Sequence, residues 1–379
     1  MYMDSILKKG IISFEKTWCD LLNIYNPYRD PWKLRITKNV PDFDGQAYKQ
    51  YPKHNFVYDK LWVAKSQGIE SGELEDLIEN RYKRQNYPIF IKPRWGHKSA
   101  SSKNCYKIKS YEELVKYKDI PDMMWSDFID DTEGMTDFII HNGSIVHQIT
   151  YVYSESQHGV VADDWKYISP ENEPPEKIVR WVNMHMKNYT GICNMQYRGQ
   201  TIIEVGLRCA RGGAYILNTK NEELIKAINQ LCDHETWDYD NTKNFDFKPY
   251  YSFKCFTQTP IVYLYPQHLL DLTMNTNNCL EFYEYYFEPS GKDGMVFLQF
   301  LHRDFEHGSN LKTSLEYIFS LTQMFLIGLF VIVLASYAFQ YKNRYQILTV
   351  FLVLFSTRFI NALSTSYTLY NAQKQSMFG

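Results

Sequence analysis

The chain has 379 residues, of which 45% are hydrophobic and 22% charged, and its formal net charge is −2. This length allows two or three packed units, and the composition excludes generic disorder, collagen and small disulfide scaffolds. The near-neutral charge gives no general attraction to nucleic acid, so no nucleic-acid partner is expected. Seven dispersed cysteines include no C-x-x-C pair. They favour a reducing compartment and give no support to a zinc or thioredoxin-type site.

The predicted elements alternate between strands and helices along most of the chain. Short β-branched or aromatic runs predict strands over 87–93, 105–108, 124–129, 136–140, 144–153, 191–197 and 200–208. Apolar spacing predicts helices over 56–80, 111–118, 176–188 and 221–232. Turn residues predict hairpins at Asn142-Gly143 and at Arg198-Gly199. Strands are predicted to dominate residues 245–310.

The C-terminal end is much more apolar than the rest of the chain. Residues 317–339 contain no charge, and a helix of this length can cross the hydrocarbon core of a bilayer. A buried core helix is the alternative, but soluble helices seldom run so long without a charge. We predict a transmembrane helix over 316–340. The flanking charges do not settle its orientation, and the soluble part is expected in the cytosol.

A second apolar run follows a short loop at 341–345. Arg358 interrupts it, and an arginine at mid-membrane costs at least about 2.5 kcal/mol unless it snorkels or pairs. We still predict a second span over 346–365, followed by a tail at 366–379. A membrane is therefore an expected partner, through one or two C-terminal spans.

Charged side chains in the soluble part suggest a nucleotide clamp. Lys60 opens a helix and Lys92 ends a strand, so both could reach phosphate oxygens. On the last predicted strand, the period of two places Glu204 and Arg208 on one face. Gln196 could lie opposite them across the hairpin. A carboxylate and an amide oxygen on neighbouring strands are suitable ligands for Mg²⁺ that bridges phosphates.

The order and spacing of these pieces resemble the ATP-grasp superfamily. The likeness is nearest to the ATP-binding units of carbamoyl-phosphate synthetase and biotin carboxylase, and it covers about 57–216. The pieces are Asp59-Lys60, Lys92-Pro93, the DFIDDTEGMTD segment at 127–137, GICNMQ at 191–196 and IEVGLR at 203–208.

The resemblance implies an α+β fold in which two α+β subdomains clamp a nucleotide. The expected domains are a short N-terminal segment at 1–56, an ATP-grasp-like core at 57–220 and an α+β extension at 221–315. The resemblance also implies ATP and Mg²⁺ as cofactors. The implied activity is that of a ligase that activates a carboxylate as an acyl phosphate for attack by an amine or a thiol.

The resemblance further implies roles for individual residues. Lys60 and Lys92 would bind phosphates, and Lys92 and Arg208 would act in catalysis, with Arg208 facing the acyl phosphate or second substrate. Glu204 and Gln196 would hold the metal. The adenosine would lie against Glu133, near the ribose, and against Ser126, Asp127, Phe128 and Ile129, with Phe128 packing on the adenine.

The sequence also departs from the family. Gly206 stands where the family has a metal-binding asparagine, and the phosphate loop at 95–104 has only one glycine, Gly96. An alternative is therefore a degenerate ATP-grasp domain, acting as a membrane-tethered nucleotide-binding or interaction module. Simpler interpretations stay open: Lys92 as a surface lysine, Glu204 in an ion pair, Gln196 as a strand amide. The acceptor substrates and the oligomeric state are not predicted.

Overall fold

The computed structural model of the chain describes residues 17, 19–21, 23, 32, 35–79, 86–98, 104–154, 164–210, 215–216, 221–240, 248–257, 267–289, 295–338, 343 and 345–349. Contacts divide the chain into two compact units. One spans Pro31–Tyr251, and the other combines Met1–Asp30 with Ser252–Met377. All residues of the expected nucleotide site belong to the unit at 31–251, which we call the first unit.

The first unit combines short helices with antiparallel strands. Its helices are α1 (Asp44–Gln50), α2 (Lys60–Ser66), α3 (Leu74–Ile78), α4 (Tyr111–Leu114), α5 (Glu176–His185) and α6 (Glu222–His234). Its strands are β1 (Ser71–Glu73), β2 (Ile89–Pro93), β3 (Tyr106–Ile108), β4 (Met123–Asp127), β5 (Glu133–His141), β6 (Ser144–Tyr153), β7 (Trp165–Ile168), β8 (Gly191–Arg198) and β9 (Thr201–Gly206).

A small antiparallel sheet has the strand order β1-β4-β2-β3. Alternation along β2 buries Ile89 and Ile91, which share a core with Ile108 and Trp125. Helix α2 packs Leu61 and neighbouring apolar residues against this sheet. The sheet therefore carries Lys92, at the end of β2, on a buried scaffold.

Strands β7-β6-β5-β8-β9 lie in this order in a larger antiparallel sheet. One face packs against helix α5, where Trp181 and Val182 meet Met195 and Val205 in the core. The residues that alternate with Met195 and Val205 face the other way. This opposite face is rich in polar side chains, among them Glu133, Asp137, Asn194, Gln196 and Glu204.

The strands predicted between 87 and 208 are confirmed with small shifts of their ends. Asn142 and Gly143 both have positive φ, as the predicted two-residue turn requires. Gly199 also has positive φ, at the turn between β8 and β9. Strand β7 was not predicted. Its four residues, WKYI, are too few to give a periodic pattern.

The single helix predicted over 56–80 is wrong. The structure has α2, then β1, then α3 in this range. Gly68 has φ +75° and its N–H bonds to the carbonyl of Lys65, which ends the first helix. Strand β1 then pairs Gly72 with Trp125, and a side chain at Gly72 would collide with the Trp125 indole. Pairing with β4 therefore overrides the helical spacing.

The second unit contains β10 (Tyr250–Thr257) except for its first two residues, then α7 (Gln267–Thr276), β11 (Glu281–Pro289), β12 (Met295–His302) and α8 (Phe305–Ala338). The strand order here is β11-β12-β10. Phe253 stacks on Phe300 at 5.3 Å between ring centroids, and Phe297 lies 4.4 Å from Phe319 of α8. These aromatic contacts form the core of this unit. Strands predominate among the described residues of 245–310, as predicted, and α7 is a helix that was not predicted.

The predicted first span, 316–340, falls mostly on α8. In the part of the chain that the structure describes, no helix combines the length and the apolar character needed to cross a membrane. Only residues 346–349 of the predicted second span are described, and the predicted tail lies outside the described residues. The structure therefore gives the predicted anchor no support.

Candidate functional site

Helix α2 begins at Lys60 because the preceding residue caps it. The side chain of Asp59 accepts hydrogen bonds from the backbone N–H groups of Leu61 (3.0 Å) and Trp62 (3.3 Å). Such a cap satisfies N–H groups that have no partner within the helix. It places Lys60 in the first turn, where the residue is only 5% exposed.

Arg94 joins the start of this helix to the end of β2. Its guanidinium bonds both carboxylate oxygens of Asp59, at 2.9 and 2.6 Å, and reaches Glu73 at 2.7 Å. The backbone N–H of Lys60 donates to the carbonyl of Arg94 at 2.9 Å. Bidentate pairs of this kind fix orientation as well as distance. Because Arg94 follows Lys92 by two residues, this connection brings the two predicted phosphate-binding lysines together.

Lys60, Lys92 and Glu204 form one cluster, which we call the lysine cluster. Lys60 Nζ lies 3.3 Å from Glu204 Oε1. Lys92 Nζ donates to the backbone carbonyl of Ile203, on β9, at 2.7 Å. The structure thus brings together three residues that are up to 144 positions apart in the sequence. Both predicted phosphate-binding lysines lie beside a predicted metal ligand.

The charges in this cluster shift the pKa values of Lys92 and Glu204. Burial and the positive charge of Lys60 together lower the pKa of Lys92 to about 8, against a smaller opposing effect of Glu204. Burial alone would raise the pKa of Glu204. Lys60 and Lys92 outweigh that effect and hold the pKa of Glu204 below its ordinary value. Glu204 is therefore ionised at neutral pH and available as an anionic ligand.

The predicted phosphate loop starts directly on this cluster. Residues 96–98 form a single 3-10 turn, and residues 99–103 lie outside the described residues. A Cβ on Gly96 would lie 3.5 Å from Lys60 Cε and 3.6 Å from Glu204 Oε1. The ring of His97 stacks on Tyr48 at 3.7 Å. The start of the predicted phosphate loop therefore lies in van der Waals contact with Lys60 and Glu204.

Gln196 lies directly across from Glu204 in the pairing of β8 with β9. Its amide nitrogen donates to Glu133 Oε1 at 2.7 Å. Glu133 also pairs with Arg198 at 3.3 Å. Since an amide nitrogen does not bind metal ions, the amide oxygen is the atom of Gln196 that a cation would use. The predicted ribose contact and the two predicted metal ligands thus lie side by side on β5, β8 and β9.

The segment predicted to line the adenine leaves the small sheet at the end of β4. Ser126 is buried, and its hydroxyl donates to the carbonyl of Asp127 at 3.2 Å. The ammonium group of Lys107 lies 3.7 Å from the centroid of the Phe128 ring, a cation–π contact. The carbonyl of Ile129 accepts from Arg198 at 3.4 Å. The predicted contacts of these four residues with a base stay predictions.

Arg208, the predicted substrate-facing residue, is held by a carboxylate. Its Nη2 donates to Asp44 Oδ2 at 2.8 Å, and its Nη1 donates to the carbonyl of Cys209 at 2.9 Å. The hydroxyl of Tyr58 donates to Asp44 Oδ1 at 3.2 Å. Burial would lower the pKa of Arg208, but Asp44 outweighs it and raises that pKa. Asp44 is not among the predicted site residues, since residue 44 precedes the range of the family resemblance.

The oxygen donors at this face suit a metal ion that is bound jointly by the protein, water and phosphate oxygens. They are too few to coordinate a metal ion by themselves. No three His, Cys, Asp or Glu side chains among the described residues are grouped so that they could hold a metal ion. Mg²⁺ commonly takes one or two carboxylates from the protein and completes its shell with water and phosphate oxygens. Glu204, with the amide oxygen of Gln196, fits that requirement.

Comparisons with solved structures support the fold, whereas comparisons of the sequence find no match. No model of a known protein family matches the sequence, and no curated protein is detectably similar to it. Carboxyaminoimidazole ribonucleotide synthase from Aspergillus clavatus, complexed with ATP, is 10% identical with a TM-score of 0.52. The match covers 74% of this chain and 80% of that chain.

Phosphoribosylamine–glycine ligase from Thermotoga maritima is 12% identical with a TM-score of 0.50. That match covers 78% of this chain and 86% of that chain. At these identities the likeness concerns the fold alone. The chain therefore has an ATP-grasp-like α+β fold, as the sequence motifs predict.

Proposed function

We propose that the first unit binds Mg-ATP, with the phosphates at the lysine cluster, and uses it to activate a carboxylate. One observation carries this proposal: Lys60 and Lys92 lie beside Glu204, next to Gly96 at the start of the predicted phosphate loop. The positive charge of Lys60 disfavours the charged form of Lys92, and a polyphosphate would relieve that cost. The ATP-grasp-like fold supports the proposal, because one similar structure is an enzyme complexed with ATP.

The proposed reaction has two steps. An oxygen of the carboxylate substrate attacks the γ-phosphorus of ATP, a new P–O bond forms, and the bond to the β,γ-bridging oxygen breaks to release ADP. An amine or thiol then attacks the acyl carbon, phosphate leaves, and the nucleophile loses its proton to solvent or a base. Bound Mg²⁺ would neutralise charge on the phosphates during the first step.

The residues of the first unit have distinct proposed roles in this reaction. Lys60 and Lys92 orient the phosphates and stabilise the charge of the transferring group. Glu204 and Gln196 hold the metal, and Arg208 receives the acyl phosphate. Glu133 lies near the ribose, and the adenine is lined by Ser126, Asp127, Phe128 and Ile129.

The experiment that tests this function uses the full chain with Mg-ATP and a panel of carboxylates. Hydroxylamine traps an acyl phosphate as a hydroxamate, and ADP formation is followed in parallel. We expect carboxylate-dependent ADP formation, and a decrease on the order of 100-fold in Glu204→Ala, because a ligand of the metal is lost. Equal rates in the native chain and a folded Glu204→Ala variant would contradict the proposed role of Glu204.

The same experiment distinguishes the proposed ligase activity from the main alternative. A folded chain that binds Mg-ATP but forms no ADP with any carboxylate would be a nucleotide-binding module without ligase activity. Gly206 favours this alternative, because it supplies no side-chain oxygen at the position of the family's asparagine. A chain that binds no nucleotide would exclude both functions.

The binding of ATP is expected to take up protons near pH 8. The pKa of Lys92 is about 8 in the free protein, and an adjacent phosphate would raise it towards its ordinary value. The affinity should therefore be highest below pH 8. Above pH 8 it should fall by up to about tenfold per unit, because the free protein loses a proton that the complex retains.

Calorimetry in two buffers of different ionisation enthalpy measures this proton uptake directly. Lys92→Met is the control, since methionine has a similar length and no titratable group. A native chain that takes up no proton at pH 8 would show that the phosphates lie away from Lys92.

We also propose that the C-terminal apolar sequence attaches the protein to a membrane, with the soluble part in the cytosol. The sequence at 317–339 supports this proposal, as do the exposed side chains of Met324 (64%) and Phe325 (71%) on α8. The measurement is cell fractionation with alkaline carbonate. Retention in the pellet until detergent is added is the expected result, and release by carbonate alone would contradict it.

A further inference from the structure

Position 206 has no side chain, yet the space beside it is filled. Gly206 follows Glu204 by two residues on β9, so a side chain at 206 would lie on the same face of the sheet as Glu204. A Cβ built on Gly206 would lie only 2.9 Å from Asp44 Oδ1. A side chain at 206 and the observed position of the Asp44 carboxylate therefore exclude each other.

The Asp44 carboxylate is held in this space by two hydrogen bonds. Arg208 Nη2 donates to Oδ2 at 2.8 Å, and the Tyr58 hydroxyl donates to Oδ1 at 3.2 Å. Tyr58 is itself fixed, because its oxygen accepts from the backbone N–H of Leu207 at 2.9 Å. The Asp44 side chain is 24% exposed, so Oδ1 is not sealed within the core. Tyr58 occupies one lone pair of Oδ1, and a second remains for a cation.

We propose that Asp44 replaces the missing side chain of position 206 as an oxygen ligand for the metal, alongside Glu204. This inference rests on the proposed function, since the metal is the one that accompanies ATP. The geometry carries it: Oδ1 occupies the place of the side chain that Gly206 lacks, on the face that already presents Glu204. A second carboxylate also suits the preference of Mg²⁺ for hard, anionic oxygen ligands.

The competing explanation is structural. Asp44 could simply dock helix α1 onto the sheet through its ion pair with Arg208. A loss of metal binding on removing Asp44 would not separate the two explanations, because Arg208 would then be left with an uncompensated charge. The test therefore moves the oxygen from position 44 to position 206.

The experiment measures the affinity of the full chain for Mn²⁺, by paramagnetic resonance, with a non-hydrolysable ATP analogue bound. Asp44→Ala should weaken Mn²⁺ binding at least about tenfold, the lower range for disturbing a metal site. The double variant Asp44→Ala with Gly206→Asn should recover most of the affinity. Gly206 has no positive φ that would exclude asparagine, and Asp44→Ala removes the carboxylate that would collide with it.

Recovery is expected from the new oxygen at position 206, because asparagine carries no charge and cannot restore the ion pair with Arg208. Unchanged Mn²⁺ affinity in Asp44→Ala overturns the inference. So does a loss that Gly206→Asn fails to restore in a folded double variant, which would make Asp44 a docking residue. Thermal melting of each variant establishes that it is folded.

Binding of the analogue in the presence of excess Mg²⁺ is measured in parallel on the native chain. Absence of this binding overturns the proposed function, and with it the role of Asp44. Binding of the Mg²⁺ complex together with no effect of Asp44→Ala on Mn²⁺ affinity overturns the role of Asp44 alone. The two failures are therefore distinguishable.

Discussion

Replacing Lys92 with methionine is expected to weaken Mg-ATP binding on the order of 100-fold, because a hydrogen bond to a charged group contributes about 1.5–3 kcal/mol. Lys92 ends β2 and its ammonium group lies in the lysine cluster, bonded to the Ile203 carbonyl. At pH 7 it is mostly protonated, since its pKa is about 8. Methionine keeps the length of the side chain and removes the charge, so the phosphates lose a direct partner. Calorimetric titration of the full chain measures the change.

Lys226→Met is a suitable control for this substitution. Lys226 is exposed on helix α6 and pairs only weakly with the exposed Glu223, one turn earlier. Its replacement should leave the affinity within the error of the titration. Comparable affinities for native chain and a folded Lys92→Met variant would move the proposed phosphate site away from Lys92. Equal losses in both lysine variants would point to a general effect of net charge.

Replacing Asp137 with alanine is expected to destabilise the first unit by about 3–5 kcal/mol, the range for breaking a buried charged network. Asp137 is 1% exposed and accepts from the Tyr151 hydroxyl (2.6 Å), the Asn194 amide (2.8 Å) and the Ala210 N–H (2.9 Å). Burial raises the pKa of Asp137 in spite of these donors. Alanine would leave three buried donors without their acceptor, and each unmade bond is costly.

Tryptophan fluorescence during urea unfolding measures this effect selectively. All tryptophans except Trp18 lie in the first unit, so the signal reports mainly on residues 31–251. Asp137→Asn should cost less than alanine, because its amide oxygen can still accept from one donor. Asp119→Ala, at an exposed site, is the control and should change the midpoint little. An Asp137→Ala chain as stable as the native chain would contradict the prediction.

Local sequence patterns predicted much of the first unit correctly. The strands between 87 and 208 follow from β-branched runs and turn residues, and the Asp59-Lys60 pair marks the start of a helix. The predicted pairing of Gln196 with Glu204 is also confirmed. A tight hairpin fixes the register of its two strands, so residues a few positions apart can be placed opposite each other. These predictions depend on interactions within about one hairpin or one helix turn.

Other features depended on contacts that no local pattern describes. The predicted helix over 56–80 is interrupted by β1, because Gly72 pairs with Trp125 more than 50 residues away. Arg94 lies in a polar loop in the sequence, yet its guanidinium holds both Asp59 and Glu73. Tertiary pairing of this kind overrides the weak intrinsic preference of a short segment.

The sequence alone therefore identified the residues proposed for the chemistry, which are Lys60, Lys92 and Glu204. This was possible because charge and strand period are local properties. The convergence of these residues was decided only by the tertiary structure. The same holds for Asp44, which lies 164 residues from Arg208 and fills the space that Gly206 leaves. A missing side chain is visible in a sequence, but the group that occupies its place is selected by packing between distant segments.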